Sequence, residues 1–133
     1  MAENTTQTFT IPGPMPCMNE IIAANRGQFG HHIYGKMKSK WEAIIYAAIL
    51  QYRIKPVEKA LIGFEWIERN RKRDPDNINS GGRKFILDTL VKSGILKDDG
   101  WKNIVGFKDT YGIDKKNPRI IVAITEMQRE AMK

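Results

Sequence analysis

The chain has 133 residues, the usual size of one domain, and its 41% hydrophobic, 28% charged and 9% aromatic residues exclude a disordered tail and predict a single domain over residues 1–133. With 22 Lys and Arg against 15 Asp and Glu, the formal charge is +7, which is typical of proteins that bind a polyanion but does not identify the polyanion. The only cysteine, Cys17, excludes an internal disulfide and a cysteine-rich zinc site. The longest apolar run, residues 43–50, is too short to span a bilayer, and the N-terminus has no apolar signal segment. We therefore expect a cytoplasmic protein with no membrane partner.

The first half of the chain predicts two strands and one long helix. Residues 6–11 are rich in β-branched side chains and end at a proline-rich loop, which indicates a strand. Residues 18–25 predict a brief helical turn, and residues 26–34 predict a loop that contains glycines. Apolar side chains at spacings of three and four predict a helix over residues 36–52, and the continuous apolar run 60–67 predicts a central strand.

The second half predicts a helix followed by two strands. Residues 69–76 form a polar connector, and residues 83–92 have the broad apolar face of a helix. Residues 103–111 and 119–125 predict two strands joined by a turn, and residues 127–133 a helical tail. The predicted fold class is α+β, a small mixed β-sheet packed by helices in the order β-α-β-α-β-β.

The densest chemical signal lies in residues 69–77, Arg-Asn-Arg-Lys-Arg-Asp-Pro-Asp-Asn. Asp74 precedes a proline, which favours an extended backbone, and residues two apart in an extended segment point to the same side. Asp74 and Asp76 can therefore share one hard divalent cation such as Mg²⁺, which prefers oxygen ligands. The same residues also fit a plainer interpretation, with Asp76 as a helix N-cap, an ordinary turn and a solvated basic loop.

Three later positions have similarly open interpretations. The Asp-Asp-Gly of residues 98–100 is an ordinary turn signal, but it precedes a strand that could lie beside the strand leading to Asp74, which would bring in a third acid. Lys84 could pair with Asp88 on a helix surface or neutralise charge on a reacting phosphate. Trp101 could be a core residue, a dimer contact or a surface for base stacking.

Residues 30–37, Gly-His-His-Ile-Tyr-Gly-Lys-Met, nearly match a phosphate-binding loop. Met37 stands where that loop needs Ser or Thr to bind Mg²⁺, so we expect no nucleotide cofactor. We interpret the segment as a basic loop that could contact DNA through Lys36 and its neighbours.

Three segments together resemble the RusA family of Holliday junction resolvases. They are Arg-Asp-Pro-Asp-Asn (73–77), Lys-Phe-Ile-Leu-Asp-Thr-Leu (84–90) and Gly-Ile-Leu-Lys-Asp-Asp-Gly-Trp (94–101), and the similarity extends over most of the chain. The resemblance implies a homodimeric, Mg²⁺-dependent endonuclease, with Mn²⁺ as a substitute, from bacteria or their phages or prophages. Such enzymes make paired nicks across a four-way DNA junction in recombination and repair.

The resemblance also assigns roles to residues. Asp74 and Asp76 correspond to the paired metal-binding acids of the family, Asp99 to the acid of its later Asp-Asp motif, and Lys84 to its catalytic lysine. Residues 79–82 lengthen the stretch before Lys84 relative to shorter members of the family. If these residues form a loop, the lysine can still reach the acids, whereas a regular helix would change its direction.

The expected mechanism is metal-assisted hydrolysis of a DNA phosphodiester, with basic residues that hold the phosphate backbone. The residues expected to contact or support DNA binding are Arg69, Arg71, Lys72, Arg73, Asn77 and Lys36. Two alternatives stay open: a non-catalytic, structure-selective DNA-binding protein, and a metal nuclease that acts on forks, flaps or RNA.

Overall fold

The computed structural model describes residues 5–127 as seven elements of secondary structure. In chain order they are β1 (Thr6–Pro12), α1 (Met18–Ala24), α2 (Gly30–Gln51), β2 (Ala60–Glu68), α3 (Pro75–Lys92), β3 (Ile104–Ile113) and β4 (Arg119–Glu126). The predicted α+β class and the order β-α-β-α-β-β are confirmed, with α1 as a short additional helix. The helical tail predicted from residue 127 falls almost wholly outside the described residues.

The four strands form one mixed sheet in the order β1-β4-β2-β3. β4 pairs antiparallel with both β1 and β2, whereas β2 and β3 run parallel with Phe64 opposite Asp109. The predicted turn between β3 and β4 is present, but these two strands do not pair because β2 lies between them. Since β2 and β3 are parallel, the residues that follow both strands meet at one end of the sheet.

One face of the sheet carries the hydrophobic core. Alternate residues of the strands, such as Phe9, Phe64 and Val122, are buried and pack with the inner faces of the helices, including Ile45 and Phe85. Alternation of this kind means that α2 and α3 cover one face of the sheet, and α1 packs against these two helices. No helix within residues 5–127 has both the length and the apolar character that a bilayer crossing requires.

Both long helices begin earlier than the sequence predicts. α2 starts at Gly30, so the segment that resembles a phosphate-binding loop is helical, and the loop predicted over residues 26–34 is wrong from Gly30 onward. α3 starts at Pro75 and includes the glycines at 81 and 82, which are poor helix formers. A Cβ atom at Gly81 would lie 2.6 Å from the backbone of Cys17, and one at Gly82 would lie 2.6 Å from the Trp66 ring. The two glycines therefore permit close packing of α3, which outweighs their low helix propensity.

Candidate active site

The site lies where β2 ends and α3 begins. Asp74 is the N-cap residue of α3 with an extended backbone, Pro75 occupies the first helical position, and the N–H group of Ile78 donates to the Asp74 main-chain oxygen at 3.0 Å. The last residues of the parallel strand β3 lie at the same end of the sheet. The carboxyl ends of parallel strands and the N-terminus of a helix thus converge, an arrangement that favours binding of anionic groups.

A cleft of about 430 Å³ opens at this point. Its walls are formed by the loop after β2, by the first turn of α3, and by the end of β3 from Tyr111 to Ile113. Asp74 and Arg71 both line it, so a carboxylate and a guanidinium share one concave surface. A phosphate held by the arginine would lie beside a cation held by the acid.

Asp74 and Asp76 both have free carboxylates. Both residues are exposed, and neither side chain forms a hydrogen bond or salt bridge with any residue that the structure describes; the Asp74 side chain makes no capping bond to α3. Asp76 lies in the first turn of α3, where the helix dipole stabilises a negative charge. Unengaged carboxylate oxygens are the ligands that Mg²⁺ takes in proteins, so each acid is chemically suited to that ion. Asp74 lines the cleft, whereas Asp76 lies one helical position further on and is not part of the cleft wall.

Arg73 is engaged inside the protein and is not a free phosphate contact. Its guanidinium donates to both carboxylate oxygens of Glu68 at 2.8 and 2.9 Å, to Glu20 at 2.7 Å and to the Met15 carbonyl at 2.8 Å. Burial alone would lower the pKa of Arg73, but the hydrogen bonds and charges of Glu68 and then Glu20 raise it. The expectation that Arg73 contacts DNA is corrected, because its guanidinium holds the loop of residues 69–74 in place.

Glu20 links this network to helix α1. Its carboxylate accepts the Cys17 backbone N–H at 3.0 Å, as in a capping box, while it also accepts from Arg73. Burial raises the pKa of Glu20, but the Cys17 hydrogen bonds and the Arg73 charge outweigh it and hold that pKa below its ordinary value. Asn77 extends the same link, because its Oδ1 accepts the Asn19 backbone N–H at 2.9 Å. Asn77 thus supports the loop, and its oxygen is already occupied.

The other three cations in residues 69–74, the segment that we call the basic loop, are available to a ligand. Arg69, Arg71 and Lys72 are exposed, and none forms a salt bridge among residues 5–127. Lys36 is also exposed, but it lies on α2 and is not part of the cleft wall. The surface around the acids is therefore basic at Arg69, Arg71 and Lys72.

The structure adds polar contacts beside the cleft that the sequence did not indicate. Asp109 on β3 accepts from the Trp66 indole N–H at 2.8 Å and from Arg83 of α3. The Arg83 guanidinium carbon lies 4.3 Å from the centre of the Phe107 ring. These partners are set by the parallel register of β2 and β3, which leaves no local signal in the sequence. The contacts fix α3 over the edge of the sheet.

Tyr111 belongs to the cleft wall and had no role in the sequence interpretation. Its hydroxyl accepts from the Asn79 side-chain amide at 2.9 Å. Burial, and then the negative charge of Asp109, raises the pKa of Tyr111, so the hydroxyl stays protonated at neutral pH. It therefore offers the cleft a neutral polar group.

Lys84 is not brought beside Asp74 and Asp76. Residues 79–82 are regular helix, so Lys84 lies eight residues after Asp76, about 12 Å further along the axis of α3. Its side chain is 64% exposed and lies 3.9 Å from Asp88, the surface pair that the plainer interpretation describes. Residues 79–82 were expected to form either a loop or regular helix. The structure shows regular helix, which changes the direction of Lys84.

Asp99 lies at the opposite end of the sheet from Asp74. Residue Gly100 accepts the backbone N–H of Ile104, the first residue of β3, and Ile104 is opposite Ala60, the first residue of β2. Asp74 follows the end of β2, about 25–30 Å away along the nine-residue strand. The expected convergence of the third acid does not occur in this structure. Over residues 5–127, no three His, Cys, Asp or Glu side chains are grouped closely enough to hold a metal ion.

Comparison with known proteins gives no relative from which to transfer a function. No protein-family model matches the chain, and no curated protein is significantly similar to it.

Proposed function

We propose that this chain is a Mg²⁺-dependent endodeoxyribonuclease that resolves four-way DNA junctions by paired symmetric nicks, acting in recombination and repair in the bacterial cytoplasm. The observation that carries the proposal is the pair of unengaged carboxylates, Asp74 and Asp76, at the start of α3 beside the free cations of the basic loop. The resemblance of three sequence segments to the RusA family supports the junction as the substrate.

The free state of both acids argues against the plainer interpretation of this loop. If Asp74 and Asp76 served only to cap the helix and shape the turn, their side chains would accept backbone N–H groups. Neither does so within the described residues, and the loop is instead held by Arg73 and Asn77. The carboxylates are therefore left for a ligand from solution.

Each group has a distinct task in this proposal. Asp74 and Asp76 hold the ion, and Arg71 holds the scissile phosphate from the cleft wall. Arg69 and Lys72 contact flanking phosphates and set the position of the strand without reading its sequence. A bound Mg²⁺ lowers the pKa of an attacking water and stabilises charge on the phosphate oxygens. The helix N-terminus adds favourable potential for the phosphate.

The test is cleavage of a strand-labelled four-way junction in Mg²⁺ by the unchanged chain, by Asp76→Asn and by Asp88→Asn. Asp88 lies on the same helix, so its variant controls for the chemical change itself. We expect paired nicks from the unchanged chain and from Asp88→Asn, and no nicks but retained junction binding from Asp76→Asn.

Other outcomes identify the alternatives. Tight junction binding with no nicks from any protein, in Mg²⁺ and in Mn²⁺, would contradict the enzyme and leave a structure-selective DNA-binding protein. Faster cleavage of forks, flaps or RNA than of the junction would replace the substrate while keeping the metal site.

A further inference from the structure

A second cavity lies at the end of the sheet opposite the cleft at Asp74. Its volume is about 920 Å³, and it is formed where β2 and β3 begin. Trp101 lines it and is 96% exposed. Tryptophan is normally among the more buried residue types, so the interpretation of Trp101 as a core residue is wrong. A fully exposed indole in the wall of a cavity is suited to contact with a ligand.

The turn that carries Trp101 is held firmly in place. The Gly100 carbonyl accepts the backbone N–H groups of Asn103 and Ile104 at 3.1 and 3.0 Å. Asn103 is only 7% exposed, and its side-chain amide donates to the main-chain oxygen of Glu58 at 2.7 Å. The turn is thereby tied to the starts of both β2 and β3. The indole is exposed on a well-anchored turn, so a ligand that contacts it pays little to order the protein.

Three lysines line the same cavity as the indole, and they are Lys59, Lys97 and Lys102. Lys97 and Lys102 are exposed, and none of the three forms a salt bridge among residues 5–127. An ammonium group binds phosphate as a point charge. Cations beside an exposed aromatic ring are the combination with which proteins bind single-stranded nucleic acid, since the ring stacks on a base while the cations contact the backbone.

Two acids, Glu58 and Asp98, also line the cavity. One carboxylate oxygen of Asp98 accepts the Asp99 backbone N–H at 2.8 Å. Carboxylates disfavour a phosphate next to them, but they accept hydrogen bonds from the amino groups of bases, as from N4 of cytosine. The cavity therefore offers acceptors for a base edge as well as cations for a phosphate.

We propose that this cavity binds an unpaired nucleotide, whose base stacks on Trp101 while the lysines contact its phosphate. A base inside a duplex must first be unstacked, so the cavity favours nucleic acid in which pairing is interrupted. The site is separate from the cleft at Asp74, because the nine residues of β2 place the two about 25–30 Å apart. The proposal holds whether or not the chain is a nuclease.

Binding of a single strand of eight deoxycytidines to the full chain, in EDTA, tests the stacking through tryptophan emission. Trp41 and Trp66 are only 9% and 1% exposed, so quenching by a stacked base is assigned to Trp101. A matched strand with the same phosphates but no bases should bind at least about fivefold more weakly. Trp101→Leu should bind both strands equally, whereas Tyr46→Leu, an exposed aromatic position on α2, should keep the difference.

The double variant Lys97→Ala with Lys102→Ala tests the phosphate contact. Removal of two such contacts should lower the slope of log affinity against log salt by about 1.4 for the deoxycytidine strand. An unchanged slope, equal affinity of the unchanged chain for the two strands, or quenching that persists in Trp101→Leu would overturn the proposal. So would emission from the unbound chain at the short wavelength of a buried indole, because another protein surface would then cover Trp101. Junction cleavage is not measured, so failure of this site leaves the proposed function standing.

Discussion

Replacement of Arg73 by methionine should destabilise the protein severely, whereas the same change two residues earlier, Arg71→Met, should not. Glu68 is only 8% exposed, and both of its carboxylate oxygens are held by Arg73. Removing one partner of a buried ion pair costs about 3–5 kcal/mol because the other charge is left buried and unpaired. The Arg73 side chain is 22% exposed, so solvent screens part of this interaction and we expect a loss of about 2–3 kcal/mol.

Urea denaturation at pH 7, followed by circular dichroism, measures this loss. A decrease of that size should lower the unfolding midpoint by about 1–2 M urea. Arg71 is exposed and forms no salt bridge among the described residues, so Arg71→Met should change the free energy of unfolding by less than about 0.5 kcal/mol. Junction binding should show the opposite order, with a weaker affinity and a smaller salt dependence for the folded Arg71→Met protein.

The difference in stability between Arg73→Met and Arg71→Met tests the role of the Arg73 network. Equal stabilities of the two variants would refute the role assigned to the Arg73 network. The double variant Arg73→Met with Glu68→Gln should recover part of the loss, because it removes the unpaired charge. A double variant less stable than Arg73→Met alone would show that Glu68 stabilises the fold through other contacts.

Three further outcomes follow from the packing and charges of the site. Gly81→Ala should lower the free energy of unfolding by about 1–3 kcal/mol, because its Cβ would meet the Cys17 backbone. Gly35 has open space at the same point, so Gly35→Ala should not lower it. Calorimetry of both variants measures the difference. Folding lowers the pKa of Glu20, so this residue stabilises the protein above its ordinary pKa of 4.5, and the stabilisation is lost as the pH falls through the lower folded value. Between pH 5 and pH 3, urea titrations should therefore show a smaller loss of stability for Glu20→Gln than for the unchanged chain. Asp109→Leu removes the acceptor of the Trp66 indole and of Arg83 and should cost about 2–3 kcal/mol in urea denaturation, with a changed Trp66 emission.

Local patterns in the sequence predicted most of the fold. Continuous apolar runs located β2, and the three-four spacing located the body of α2, because both signals lie within a few neighbouring residues. The start of α3 was missed because Gly81 and Gly82 lower helix propensity, and only their contacts with Cys17 and Trp66 explain why helix forms there. The sheet order was equally beyond local reasoning, since strand neighbours are separated by long stretches of chain.

The candidate site likewise contains some residues that the sequence could predict and others that it could not. A five-residue segment located both acids, and the structure places them at the start of α3. The extended backbone from which a shared ion was inferred stops at Asp74, because Asp76 is already helical, so a shared ion stays a prediction. The role of Arg73 was not predictable, because its partner Glu20 lies 53 residues away and meets it only after α1 has packed. Glu68 lies five residues before Arg73, but its burial at the end of β2 becomes visible only in the folded sheet. Asp99 was expected beside the acids from strand adjacency alone, and the parallel direction of β3 places it at the far end.

The position of β4 has a consequence for synthesis on the ribosome. β4 is made after the other three described strands, yet it lies between β1 and β2, and Thr6 is separated from its partner Thr125 by 119 positions in the sequence. The unit of β2, α3 and β3 can assemble from neighbouring sequence, whereas β1 must wait without a partner. A ribosome that stops before residue 119 would release a chain in which both β1 and the inner edge of β2 are unpaired. Such products expose unpaired strand edges at β1 and β2, and they should aggregate or be degraded by proteases.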